Sequence, residues 1–185
     1  FDLRPDFAAL LILAKLKERN AETLFGAVAD ALAKENVELL PATTFLDEFI
    51  APEGHFAGPK PRRRVHEDIK FGLRIAKEVS RLDIGQTVVV RNGTVLAVEG
   101  FEGTNEAIKR GALLGRGQAV AVKVSKPNQD FRFDVPVIGP LTLEAGAKAG
   151  LSALAVEAGR TLLVEPERLH ALADEHKISI LGVKS

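Results

Sequence analysis

The sequence predicts an α/β fold in two parts, and three observations predict it. Short β-branched strands alternate with segments of helical period from Thr87 to Leu181. A Pro/Gly-rich stretch, Ala51-Pro52-Glu53-Gly54-His55 and then Gly58-Pro59-Lys60-Pro61, interrupts the pattern with the texture of a linker. Size agrees, because 185 residues hold one large domain or one domain with part of another, and 46% apolar with 27% charged residues is a globular balance. The boundary therefore falls at the Pro/Gly stretch, giving a first domain over 1–58, a linker over 59–64 and a second domain over 65–185.

Taken in order, Leu10, Leu13, Leu16 and Lys17 follow helical spacing, with Pro5 or Asp6 to start the helix. A second helix is expected over residues 21–34, with Leu24, Phe25, Val28 and Leu32 as its buried stripe. Residues 37–40 read as a short strand before Pro41. Beyond the linker, Ile69, Leu73, Ala76 and Val79 place a helix within 65–81. Two β-branched runs flank Asn92-Gly93, a pair that accepts the positive φ of a two-residue hairpin turn. Thr104 reads as the N-cap of a helix over 105–111, and 120–124 reads as a strand. A small-residue helix over 142–149 ends at Gly150. Strands at 154–156, 161–164 and 178–181, with a helix over 166–176, complete the series.

Several chemistries are excluded or left without support. A net charge of zero gives no basic field for nucleic acid. The absence of Cys excludes disulfides, thiolate metal sites and cysteine nucleophiles. The longest apolar run, residues 8–14, stops at Lys15, short of the ~18 residues that suggest a membrane span. With no signal peptide in view the expected compartment is the cytosol, and Phe1 in place of an initiator suggests a fragment or a processed chain. His55, His66, His170 and His176 read as surface or structural, since the last two, six apart, lack metal-pair spacing. Gly111 to Gly117 is glycine-rich but no Lys-Ser/Thr follows, so it is not a P-loop. Arg62-Arg63-Arg64 reads as a solvated tether, or as a contact for anionic lipid headgroups.

One stretch concentrates charge: two lysines, two aspartates and an arginine stand between Lys123 and Asp134. If residues 130–134 are extended, Asp130, Arg132 and Asp134 share one face while Phe131, Phe133 and Val135 anchor the other. Arginine grips phosphate with paired hydrogen bonds, and one or two carboxylates suit Mg²⁺. Together they would make a metal-assisted phosphoryl site. The plainer alternative is a solvated row that pairs with itself. Glu102 likewise is either part of a strand-to-helix cap or a carboxylate aimed into a cleft, where a helix starting at Thr104 would offer N–H groups to an anion.

Leu96-Ala97-Val98-Glu99 with Phe101-Glu102-Gly103-Thr104, then Lys123-Val124-Ser125-Lys126-Pro127-Asn128-Gln129-Asp130, then Arg132-Phe133-Asp134-Val135-Pro136, resembles the LpxI-type UDP-2,3-diacylglucosamine diphosphatases (pyrophosphatases). The resemblance covers the whole chain and is strongest over residues 64–185. It implies a mixed α/β hydrolase domain over 65–185. It also implies that 1–58 is only part of an N-terminal α/β domain, whose usual opening strand and glycine-rich turn are not seen. The implied reaction is hydrolysis of UDP-2,3-diacylglucosamine to UMP and 2,3-diacylglucosamine 1-phosphate (lipid X), in lipid A biosynthesis of Gram-negative bacteria. The implied cofactor is Mg²⁺ or another divalent cation.

The resemblance further implies that Asp130 is the essential carboxylate, with Asp134 and Glu102 completing an acidic site and Asp130 and Asp134 holding the metal. Lys123, Lys126 and Arg132 would neutralise pyrophosphate charge, while Gln129 and Thr104 would donate to phosphate or uridine groups. The implied partners are the lipid substrate and lipid X, a second copy in a homodimer and, peripherally from the cytoplasm, the inner membrane; nucleic acid is not among them. Two other readings remain at this level: a nucleotide-sugar or lipid-binding module without turnover, and a structural subunit whose charged row is an interface. Paired aspartates favour an enzyme, because a pure pyrophosphate binder gains nothing from carboxylates unless a metal bridges them.

Overall fold

The computed structural model describes residues 7, 10, 11, 14 and 21–184. Phe7, Leu10, Leu11 and Ala14 are helical, and the rest of the first expected helix, including Leu13, Leu16 and Lys17, lies outside the described residues. The chain divides into two compact units: 1–45 with 130–135, and 46–129 with 136–185.

In the first unit, helix α1 spans Ala21–Lys34. Its expected stripe is only partly covered: Leu24 and Leu32 are half-buried, but Phe25 and Val28 keep 48% and 38% of their surface in solvent, and the buried apolar residue is Ala29, outside that stripe. Phe25 stacks on Phe133, ring centroids 5.5 Å apart. Residues 37–40 form no strand, with Val37 and Leu40 about half exposed and no ladder partner among the described residues. A turn follows, in which the Thr44 amide and hydroxyl both donate to the Pro41 carbonyl at 2.9 and 2.7 Å. The Ala42 amide donates to the Phe131 carbonyl at 2.8 Å and so joins the 130–135 segment to its unit.

The second unit is built on a six-stranded mixed sheet. Its strands are β1 (Gly54–Ala57), β2 (Thr87–Arg91), β3 (Thr94–Val98), β4 (Ala119–Lys123), β6 (Leu151–Glu157) and β8 (Ser179–Val183), in the order β1-β8-β6-β4-β2-β3. Strands β4, β6 and β8 are mutually parallel, and antiparallel strands flank them on both sides. A separate parallel pair joins β5 (Val137–Ile138) to β7 (Leu162–Leu163). The helices are α2 (Arg63–Arg81), α3 (Thr104–Gly115), α4 (Pro140–Ala149) and α5 (Pro166–Glu175).

Parallel strands buried on both faces need apolar residues at every position, and β4 reads Ala-Val-Ala-Val before Lys123, all buried. Val120 and Val122 pack in one cluster with Ile69 and Ala76 of α2. Ala119 and Ala121 belong to the other, with Ile108 of α3, Leu143 of α4 and Leu169 of α5. One helix thus covers one face and three cover the other. Close approach has a requirement: a Cβ at Gly111 would lie 2.4 Å from Val89 Cβ, so α3 reaches the sheet only because that position is glycine.

The hairpin forms as expected, with Asn92 and Gly93 at φ 54° and 71°. Its turn amides are not left to water. Asp68, buried on α2, accepts from the Asn92 and Gly93 N–H groups at 2.9 and 2.8 Å.

The expected linker behaves differently. Gly54–Ala57, within the Pro/Gly stretch, is edge strand β1, paired antiparallel with β8. Residues 59–64 lie inside the second unit. Gly58 has no spare room, since a Cβ there would meet the Ile178 carbonyl oxygen at 1.9 Å, and the Pro59 carbonyl accepts from Ser179 Oγ at 2.7 Å. Glycine here serves positive φ and tight packing at an edge, which composition does not separate from flexibility. Helix α3 also runs to Gly115 rather than 111. Among the described residues no helix is long and apolar enough to cross a membrane.

Replacing Gly111 with valine is expected to destabilise the second unit by about 1–3 kcal/mol, the usual range for overpacking a close contact. A lower urea midpoint with an unchanged m-value would show it, and an unchanged midpoint would contradict the packing described.

Candidate active site

Strands β4 and β6 end side by side, with Lys123 in register with Val156. Such carboxyl ends of parallel strands are where open α/β sheets place ligands. Lys123 is only 9% exposed, yet its ammonium donates to Thr104 Oγ1 at 2.7 Å. The Thr104 hydroxyl donates in turn to Glu99 Oε1 at 2.8 Å, and the other Glu99 oxygen accepts from the Gln86 amide at 3.3 Å. Thr104 therefore does not cap α3 as expected. Gly103 holds the N-cap position at φ 81° without a side-chain cap, and Thr104 is the first helical residue. Its hydroxyl serves the buried lysine instead, which offsets part of the cost of taking an ammonium out of water.

Beyond Lys123 the chain leaves the sheet through Val124 and Ser125 into a short turn. The Gln129 amide donates to the Lys126 carbonyl at 3.2 Å, and Gln129 Oε1 accepts from the Lys126 amide at 2.7 Å, closing the turn on itself. The Lys126 ammonium pairs with Asp83.

Glu102 has its own partners. Oε1 accepts from Arg110 at 2.6 Å and Oε2 from the Gly100 amide at 3.0 Å. The hydrogen bond from Arg110 holds its carboxyl below the ordinary value, with backbone donors adding to the effect.

The segment 130–134 is a turn, not an extended strand: the Phe133 and Asp134 amides both donate to the Asp130 carbonyl at 3.0 Å. The expected alternation of charged and apolar faces is therefore absent. Instead Asp130 receives Arg132 side-on, with Nε 2.9 Å from Oδ1, Nη2 2.7 Å from Oδ2 and the Arg132 amide 3.1 Å from Oδ1. The same guanidinium lies over the Phe133 ring, 5.2 Å from its centroid. Hydrogen bonding from Arg132 lowers the Asp130 pKa more than desolvation raises it, and the carboxylate in turn raises the pKa of Arg132.

Of the expected residues, then, Thr104 and Lys123 share one network, Lys126 and Gln129 share a turn, and Asp130 and Arg132 form an ion pair in the first unit. Among the described residues no three or more His, Asp or Glu side chains stand close enough to hold a metal by themselves.

Sequence reasoning missed a group at the end of β6. Glu157, 2% exposed, accepts from Lys77 Nζ of α2 at 2.8 and 2.9 Å, from the Ser125 amide at 2.8 Å and from Ser125 Oγ at 2.7 Å. Arg160 Nε donates to Ser125 Oγ at 2.8 Å and lies 3.8 Å from Glu157 Oε1. The one available signal was a carboxylate ending the apolar run Leu-Ser-Ala-Leu-Ala-Val-Glu.

Comparison with known proteins gives two family matches. Residues 1–49 match the LpxI N-terminal domain and residues 52–181 the LpxI C-terminal domain. The protein named UDP-2,3-diacylglucosamine pyrophosphatase LpxI from Caulobacter vibrioides is 38% identical over 198 residues, spanning 97% of this chain and 71% of that protein.

The Asp130–Arg132 pair carries a signed pH dependence. Because the folded pKa of Asp130 is depressed, its contribution to stability is complete above the unfolded value of about 3.9 and is lost as pH falls through the folded value. In Arg132→Met the Asp130 carboxyl is expected to titrate at higher pH, as followed by carboxyl-carbon NMR. An unmoved titration would mean that the pair does not form in solution.

Proposed function

The chain belongs to the LpxI family, and we propose that it cleaves UDP-2,3-diacylglucosamine at its pyrophosphate, releasing UMP and 2,3-diacylglucosamine 1-phosphate for lipid A synthesis. The observation that carries the reading is the buried Lys123 at a strand end, oriented through Thr104 and Glu99 on the residues that resemble the family.

In the proposed reaction water attacks one phosphorus, the bridging P–O bond breaks and the departing phosphate takes the bond's electrons. Negative charge grows on the leaving group, and preorganised cations stabilise it. Lys123, Lys126 and Arg132 have that role. A carboxylate held below its ordinary pKa is a weak proton acceptor, so Asp130 serves to orient water or hold a cation rather than to act as a strong base. Glu102, also held ionised, and Asp134 complete the acidic set. Gln129, whose carboxamide oxygen accepts from the Lys126 amide, is assigned a donor's role toward a phosphate or uridine oxygen on the family resemblance. Thr104 would share that role only by redirecting the one hydroxyl proton that it gives to Glu99.

Mg²⁺ or another divalent cation belongs to the proposal, with Asp130 and Asp134 to hold it. The donor set suits a hard ion that takes one or two carboxylates and completes its shell with waters and phosphate oxygens. The bidentate grip of Arg132 on Asp130 fits as well, because a pyrophosphate gives the guanidinium an equivalent anionic partner and frees the carboxylate. The ion would supply Lewis-acid stabilisation of phosphoryl charge. Cytoplasmic location, homodimer formation and peripheral contact with the inner membrane are proposed on the family resemblance alone.

The full-length protein incubated with UDP-2,3-diacylglucosamine and Mg²⁺ is expected to yield UMP and lipid X by mass spectrometry, and EDTA is expected to abolish turnover until Mg²⁺ is restored. Asp130→Ala, folded, is expected to lose at least ~10²-fold in kcat, as is Lys123→Met. Full activity in EDTA would remove the metal from the reading, and full activity in Asp130→Ala would remove that residue. Tight substrate binding without product from the parent protein would make the chain a binding module.

A further inference from the structure

We propose that Glu157 is a positioning residue for this reaction, fixing through Ser125 the course of the segment that carries Lys123, Lys126 and Gln129. The inference rests on the hydrolase reading.

The geometry is specific. Glu157 stands one residue beyond Val156, the register partner of Lys123, so its carboxylate lies at the same end of the sheet where β4 runs out. It holds Ser125 twice, through amide and hydroxyl, and Ser125 lies between Lys123 and Lys126 in the chain. A neutral glutamine at position 157 keeps one acceptor oxygen and presents an NH₂ group where the carboxylate meets only donors. It also leaves Lys77 and Arg160 without the negative charge that they now face.

A buried carboxylate is expensive and is retained only when its partners are in place. Here the partners come from three places: α2, the β4 exit and Arg160, three residues past the end of β6. A carboxylate needed only to fasten α2 to the sheet would have no use for both donors of Ser125. Those two bonds determine where the Lys126–Gln129 turn leaves the sheet, and misplacing a substrate-positioning group by about 1 Å costs on the order of 10²-fold in rate.

The test compares wild type, Glu157→Gln, Ser125→Ala and Glu157→Gln/Lys77→Met for kcat, KM and Tm, with amide exchange followed over residues 123–129. Folded Glu157→Gln is expected to lose ~10²-fold in kcat with KM within about threefold, and to exchange faster at Ser125 to Gln129. Adding Lys77→Met rebalances the charge and is expected to restore Tm but not kcat. Wild-type kcat and exchange in folded Glu157→Gln, or recovery of kcat along with Tm in the double variant, would overturn the proposal. Should Glu157→Gln fail to fold, Ser125→Ala decides: a fall in kcat supports the proposal and an unchanged kcat refutes it. Absence of product from wild type would instead sink the hydrolase reading, and the exchange comparison would still show whether Glu157 holds the segment.

Discussion

Three parallel strands that must be covered on both faces are the constraint on which the second unit depends. Strands β4, β6 and β8 have no solvated side, so one helix is committed to one face and three to the other. That demand explains the small residues at the contacts. Gly111 sits against Val89, and Gly72 of α2 sits with its missing Cβ position 2.7 Å from Val122 Cγ2. The same demand restricts polar groups to the strand ends, so Lys123 and Glu157 appear where β4 and β6 stop.

At those ends the electrostatics are arranged in pairs rather than as one field. The chain is neutral overall, and these charged groups of the second unit have counterparts: Lys123 with the Thr104–Glu99 relay, Lys126 with Asp83 and Glu102 with Arg110; within the first unit Arg132 pairs with Asp130. Paired charges at partly exposed positions add little stability by themselves. What they provide is preset orientation. On the proposed function, a polyphosphate displacing a carboxylate from a guanidinium would exchange one hydrogen-bonded anion for another and need little reorganisation.

The legible and illegible parts of the sequence divide along a physical line. Periodicity and turn chemistry are local, and the Asn92-Gly93 hairpin, helix α1 and the Gly150 helix end were all readable from neighbouring residues. Strand β1 was not, because Gly54 and Gly58 have the same composition in a tight edge as in a loose linker. The 130–134 segment was misread as extended because its alternation suited a strand, whereas the bond between Asp130 and Arg132 closes a turn. Its family motif was nonetheless visible, since motifs survive an error in local conformation. Glu157 was invisible for a different reason: Lys77 is 80 residues away and Ser125 is 32 residues away, and no local pattern encodes such a meeting.

Asp68 has an effect that reaches beyond the turn it caps. An ordinary hairpin tip exchanges its amides with solvent and frays independently of its surroundings, but this one delivers both amides to a buried carboxylate on α2. The tip can open only if the carboxylate loses its partners, and α2 can lift from the sheet only if the tip is abandoned. Opening of either the helix or the hairpin tip therefore costs the other its hydrogen bonds, which couples the two. The β2–β3 edge, furthest from β1 in the sheet, is thereby kept from behaving as a loose flap.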